Sequence, residues 1–249
     1  KRKMKHPMLL VPALALVSLL PAHAQFSGPK VRNAKPGEIR VMATSAIRKP
    51  IDAVIKQAEK VIGEPILVEY GSARGNLKDE ILAGQNFEVA ILLPDVNATL
   101  LKEGRIRPGT YEISHVPTAL GLRGDVKSVD VRTPAAIKAT FLGARSVRYS
   151  PTGVGLDTAE KILSTLGIAD KVRDTSHIRQ RVVLKPGEYE INIYPLSEII
   201  PNKTLRNLGP VIPQLQVPGV IEASIGKSTK NLKASMALVN FLQGPAIDA

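Results

Sequence analysis

The strongest constraint on the fold is a strand–helix alternation that repeats three times between residues 38 and 104. Residues 38–43 alternate as a strand does. Residues 46–61 follow with Ile47, Ile51, Val54, Ile55, Ala58 and Val61 at helical spacing, stopped by Gly63. A second strand over 65–70 precedes a helix over 75–83, stopped by Gly84. A third over 87–93 precedes a helix over 95–103, stopped by Gly104. Asp95, after Pro94, is placed to cap that last helix. Parallel strands need crossover connections, and helices of this length supply them. The expectation is an α/β protein.

Beyond Gly104 the pattern loosens. Residues 111–123 read as one long extended segment, 133–142 as a helix opened by Thr133 and Pro134, 146–149 as a strand and 156–166 as a helix ended by Gly167. Residues 182–184, 190–194 and 208–212 are short extended candidates, before a strand over 220–225 and a helix over 230–242.

The first residues speak to location. Lys1, Arg2, Lys3 and Lys5 precede an apolar run over 8–20 and then Ala22-His23-Ala24, a small-x-small site. Residues 1–24 therefore read as a cleaved secretory signal peptide, with a run shorter than the roughly 20 residues of a membrane span. Residues 25–37 carry Gly28, Pro29, Pro36 and Gly37 without periodicity and read as a flexible leader. The expected location is the periplasm. The chain has no cysteine, so hydrophobic burial rather than disulfides must hold it together. Its 34 Lys and Arg outnumber 22 Asp and Glu. They are scattered, and there is no Trp, which argues against nucleic acid and for a general bias toward anions.

In open α/β sheets, ligands gather at the carboxyl ends of strands, where helix N-termini offer unpaired N–H groups. After the first strand comes Thr44-Ser45-Ala46-Ile47-Arg48, and after the second Gly71-Ser72-Ala73-Arg74. Ser45 and Ser72 read either as helix caps or as anion donors. A third turn, Ser150-Pro151-Thr152-Gly153, is rich in hydroxyls but lacks the spacing and lysine of a P-loop. A fourth carries Tyr194 and Ser197 at a strand end. His115 and His177 are isolated, without metal-ligand spacing, and no G-x-S-x-G or Ser/His/Asp set occurs. No catalytic residue, metal or cofactor is expected. Glu188 and Glu190 read as the solvated face of a loop.

Residues 42–48 (MATSAIR), 70–77 (YGSARGNL) and 81–92 (ILAGQNFEVAIL) resemble the periplasmic molybdate-binding-like proteins, the type 2 substrate-binding proteins of ABC importers. So do 100–106 (LLKEGRI), 163–169 (LSTLGIA), 195–200 (PLSEII) and 237–245 (ALVNFLQGP). The resemblance implies a two-lobed type 2 periplasmic binding protein fold, with mixed and parallel sheets, crossover helices and a two-strand hinge. Lobe I would comprise 38–116 plus 217–249 and lobe II 117–216, closing around a ligand. It implies that Ser45, Ser72 and Tyr194 hydrogen-bond a small anion, and Ser150 and Thr152 of the hydroxyl-rich third turn are expected to close over it with Tyr194. Arg48 would pair with a carboxylate, should the ligand carry one. The ligand is then a molybdate-like oxyanion or a small carboxylate, the partner an ABC permease and the protein a monomer. Residues 182–190 read as shorter than in relatives, as though a helix of lobe II were absent. An alternative on the same scaffold is a cofactor-independent isomerase of a small tricarboxylate, like aconitate isomerase. That chemistry needs a general base, and no residue stands out as one.

Overall fold

A computed structural model describes residues 37–244; the expected signal peptide, the leader up to Pro36 and residues 245–249 lie outside the described residues. In chain order the elements begin with β1 (Ile39–Thr44), α1 (Arg48–Ile62), β2 (Ile66–Gly71), α2 (Lys78–Leu82), β3 (Val89–Leu92), α3 (Pro94–Lys102) and β4 (Ile106–Val116). They continue with β5 (Thr118–Gly124), α4 (Pro134–Gly143), β6 (Ser146–Tyr149), α5 (Leu156–Thr165), β7 (Tyr189–Pro195), α6 (Leu196–Ile199) and β8 (Arg206–Pro210). Last come β9 (Gly219–Gly226) and α7 (Leu232–Leu242).

Two sheets form two lobes. The first has the order β2-β1-β3-β9-β4, the second β6-β7-β5-β8. β1 pairs in parallel with β2 and β3, as the strand–helix alternation requires, while β9 runs antiparallel between β3 and β4. Every residue of β1 and β3 is buried. Successive strand residues point to opposite faces, so the centre of this sheet is covered on both sides, with α1 packed beside α7 and α2 beside α3. The second lobe has its own core, with Phe141, Val147, Ile162, Ile191 and Ile193 at its centre.

The chain crosses between sheets twice. Pro117 separates β4 from β5, and residues 216–218 lead back into β9. The crossings lie side by side, with Val116 paired to Gly219. A Cβ on Gly219 would come 2.7 Å from the Val116 carbonyl oxygen and 2.6 Å from Val154, so only glycine permits this approach. Gln216 braces the crossing: its Nε2 donates to the Thr118 carbonyl at 3.0 Å and its Oε1 accepts from the Thr118 N–H at 3.2 Å. This is the α/β architecture that the alternation predicts, in the two-lobed mixed form that the resemblance implies.

Several local expectations change. The extended segment over 111–123 is two strands, broken at Pro117, which has no N–H for a ladder. Asp95 does not cap α3. Pro94 takes the first helical position, which suits proline, and the Asp95 carboxylate pairs with Arg74 instead. Residues 182–184 form no strand, and the strand expected over 208–212 is β8, shifted toward the N-terminus. No helix or strand interrupts residues 166–188, apart from an isolated bridge between Val147 and Asp174. Glu190 is not on a solvated loop. It lies on β7, fully buried, and accepts from Arg123 at 3.0 and 3.2 Å, from Arg181 at 3.2 Å and from Ser146 at 3.0 Å.

Candidate functional site

In each lobe the carboxyl ends of two neighbouring parallel strands face the same cleft. In lobe I, Thr44 at the end of β1 is in register with Gly71 at the end of β2. Ser45 then opens a short 3-10 turn (Ser45–Ile47), and Ser72 precedes a widened turn (Ala73–Leu77). The Ser72 N–H donates to Asn76 Oδ1 at 2.9 Å, and a Cβ on Gly71 would fall 2.6 Å from that side chain, so a larger residue there would displace Asn76 from this bond. In lobe II, β6 runs parallel to β7 with Tyr149 opposite Ile193. Ser150 follows β6, and Tyr194 lies near the end of β7.

The cleft has a volume of about 330 Å³. Its lining includes Thr44, Ser45 and Ser72 from lobe I, and Arg148, Ser150, Ser176, Tyr194 and Glu198 from lobe II. Of the residues singled out in the sequence, Ser45, Ser72, Ser150 and Tyr194 therefore meet at one place. Thr152 does not line it. It sits in the contact between the lobes, where Ser72 Oγ donates to its carbonyl at 2.8 Å and lies 2.7 Å from its Oγ1. Arg48 does not line the cleft either, and acts on it only through its charge near Glu198. It opens α1, is exposed, and stacks 4.5 Å from the centroid of the Tyr70 ring.

Neither serine is a side-chain cap. Ser72 makes no capping bond, because its hydroxyl is spent on Thr152. The turn after β1 is capped weakly by Thr44, whose Oγ1 accepts from the Ala46 N–H at 3.5 Å. The Ser45 hydroxyl has no hydrogen-bond partner among the described residues.

Arg148 and Glu198 were missed in the sequence. Arg148 donates to the Thr175 carbonyl at 3.2 Å and the Arg179 carbonyl at 3.5 Å, using part of a guanidinium with five N–H groups. Applying the strand-end rule to the last residues of β6, and not only to the turn beyond it, would have found it. Glu198 lies on α6, next to Ser197, whose hydroxyl donates to the Ala46 carbonyl across the lobes. Ser176 is fixed by a small network. Its Oγ accepts from the Tyr149 N–H at 3.2 Å, and its own N–H donates to Asp174 at 2.7 Å, which also accepts from the Tyr149 hydroxyl at 2.8 Å.

Burial raises the Tyr194 phenol above its ordinary pKa, opposed in part by Arg148 and Arg181. Burial likewise pushes the Glu198 carboxyl up, with Arg48 pulling the other way. Tyr149 is pushed up to about 12 by burial and by its bond to Asp174. Near neutral pH the cleft thus presents neutral hydroxyl donors, one guanidinium and one carboxyl group. Among the described residues no cluster of three His, Cys, Asp or Glu is placed to hold a metal ion. Such a cleft can bind an anion by hydrogen bonds from both lobes.

Arg74 also joins the lobes. Its N–H donates to the Thr152 carbonyl at 3.1 Å, its Nε to Asp95 at 2.7 Å and its Nη2 to Asp157 at 2.8 Å.

The periplasmic molybdate-binding protein of Azotobacter vinelandii is similar in structure, with a TM-score of 0.61 and 17% identity over 83% of this chain and 93% of its own. The tungstate ABC transporter structure from Geobacter sulfurreducens superposes with a TM-score of 0.60 and 10% identity, over 85% of this chain and 96% of its own. The sulfate-binding protein of Mycobacterium tuberculosis H37Rv gives 0.58 and 12%, over 83% and 82%. At such identities these likenesses establish the fold. The family model described as bacterial extracellular solute-binding protein matches residues 39–249, nearly all of the described chain, and the protein belongs to that family.

Proposed function

We propose that this protein captures a small anion between its lobes in the periplasm and, as a monomer, presents it to an ABC permease. The observation that carries this reading is the facing of Ser45 and Ser72 against Arg148, Ser150 and Tyr194 across one cleft. Donors from both lobes can reach one ligand only when the lobes are closed, which couples binding to closure. The similar structures are named for molybdate, tungstate and sulfate, and this supports an anionic ligand here. They are named as binding or transport proteins, and the isomerase alternative gains no support from them.

The test is a melting-temperature screen of the protein against molybdate, tungstate, sulfate, phosphate and a set of di- and tricarboxylates, followed by recovery of the bound compound. A ligand at about 100 times its dissociation constant adds roughly 2.7 kcal/mol to stability, which a melting curve resolves. The expected result is a clear rise with one anion class and recovery of that anion unchanged. A flat response to every anion would refute the reading, and a converted acid would turn it toward the isomerase.

A further inference from the structure

Glu198 is out of place in a cleft built only for anions. It is half-buried, it lines the cleft, and among the described residues its carboxyl group accepts no hydrogen bond. Buried polar groups are almost always paired, because an unpaired one forfeits its hydration without return. The charged or titratable groups that act on it are few: Arg48 from α1, and Tyr194 on β7. Arg148 lines the same cleft, acts on the same Tyr194 phenol, and has guanidinium donors to spare. The cleft therefore offers a planar cationic donor and an unsatisfied acceptor within one small volume.

A tetrahedral oxyanion matches only half of this. It satisfies the hydroxyls and Arg148 but brings only acceptors to Glu198. A compact organic acid can match both, with its carboxylate on the guanidinium and a hydroxyl or ammonium group on the neighbouring carbon skeleton donating to Glu198. The cleft volume of about 330 Å³ falls at the lower end of small-molecule sites and has room for such a skeleton.

We infer that Arg148 and Glu198 together select a small carboxylate bearing a hydrogen-bond donor on its carbon chain, in preference to a bare oxyanion. This rests on the solute-binding reading above and narrows it.

The experiment is titration calorimetry of the full chain with succinate, malate and aspartate, which share one four-carbon dicarboxylate skeleton and differ in carrying H, OH or NH3+. Sulfate and molybdate serve as bare oxyanions. Malate or aspartate should bind about tenfold or more tighter than succinate, the worth of one good hydrogen bond to a charged group. Whichever of the two wins identifies the donor as hydroxyl or ammonium. In Glu198→Leu that preference should collapse to within about threefold, because succinate loses a like charge beside it while the preferred acid loses its acceptor. Should Glu198→Leu fail to melt cooperatively, Glu198→Gln takes its place. It should bind sulfate more tightly, since a like charge is gone, and hold the preferred acid less tightly. Equal affinity for all three acids, or tighter binding of sulfate or molybdate than of any acid, overturns the inference and leaves the anion-binding reading standing. No binding of any of these five probes overturns the inference, and the wider anion screen described above then decides the anion-binding reading.

Discussion

Ser45 and Ser72 follow neighbouring strands in register, yet their hydroxyls are committed differently. Ser72 Oγ is bonded to Thr152 across the lobes, and Ser45 Oγ has no protein partner among the described residues. Ser45→Ala should therefore weaken anion binding by about 1–3 kcal/mol while leaving the ligand-free melting temperature unchanged. Ser72→Ala should weaken binding and also cost about 0.5–1.5 kcal/mol of ligand-free stability. Calorimetry and melting curves on the two variants decide it, and identical profiles would refute the distinction. The two arginines divide in the same way. Arg148→Gln should cost about 1.5–3 kcal/mol of carboxylate affinity, and Arg48→Gln, on the exposed stack with Tyr70, should stay within ~0.5 kcal/mol. The strand-end rule located both serines because it depends on local order alone. It could not rank Arg48 against Arg148, since that choice depends on Tyr70 reaching Arg48 and on Thr175 and Arg179 turning Arg148 toward the cleft.

The same limit shows within one element, β7. Its apolar residues Ile191 and Ile193 made it recognisable as a strand, but Glu190 looked like a loop carboxylate. Register explains the difference. Glu190 lies opposite Arg123 on β5 and Ser146 on β6, partners 67 and 44 residues away in sequence. Burial alone would raise its pKa. The bonds from Arg123 and Ser146, helped by Asn192, outweigh burial and hold it below the ordinary carboxylate range. A depressed folded pKa gives stability that is fully present above the unfolded value of about 4.3 and is lost as pH falls below it toward the folded value. Glu190→Gln should then cost about 2–3 kcal/mol at pH 7, less than the ~3–5 of a fully buried broken pair because Arg123 is partly exposed. It should also flatten the loss of stability below about pH 4.3. Denaturant melts at pH 7 and on the acid side test both parts. A variant with the wild-type acid slope would show that Glu190 is not the group responsible.

At the scale of the molecule, the proposed function makes closure of the lobes the property that matters. The two sheets are separate, the chain crosses between them at residues 117 and 216–218, and further links join the lobes, including Val154 of lobe II packed into the lobe I core. Chief among these is Arg74, which bridges Asp95 of lobe I and Asp157 of lobe II at 2.7 and 2.8 Å. Both carboxylates are about half exposed, so each pair contributes only a fraction of a kcal/mol to about 1 kcal/mol. Together they bias closure by roughly 1 kcal/mol, about a fivefold shift in the ratio of closed to open forms. That shift carries into affinity, because the apparent dissociation constant scales inversely with the fraction already competent to bind. Arg74→Ala should thus weaken anion binding by up to about fivefold, with the ligand-free radius of gyration growing in solution scattering to the extent that the closed form is populated in wild type. Raising salt from ~0.05 to ~0.5 M should push wild type the same way by screening the half-exposed pairs, with little further effect on the variant. If scattering and affinity in Arg74→Ala match wild type at both salt concentrations, the Arg74 bridge does not govern closure, and the other links between the lobes, the Ser72–Thr152 and Ser197–Ala46 bonds and the packing of Val154, are tested next.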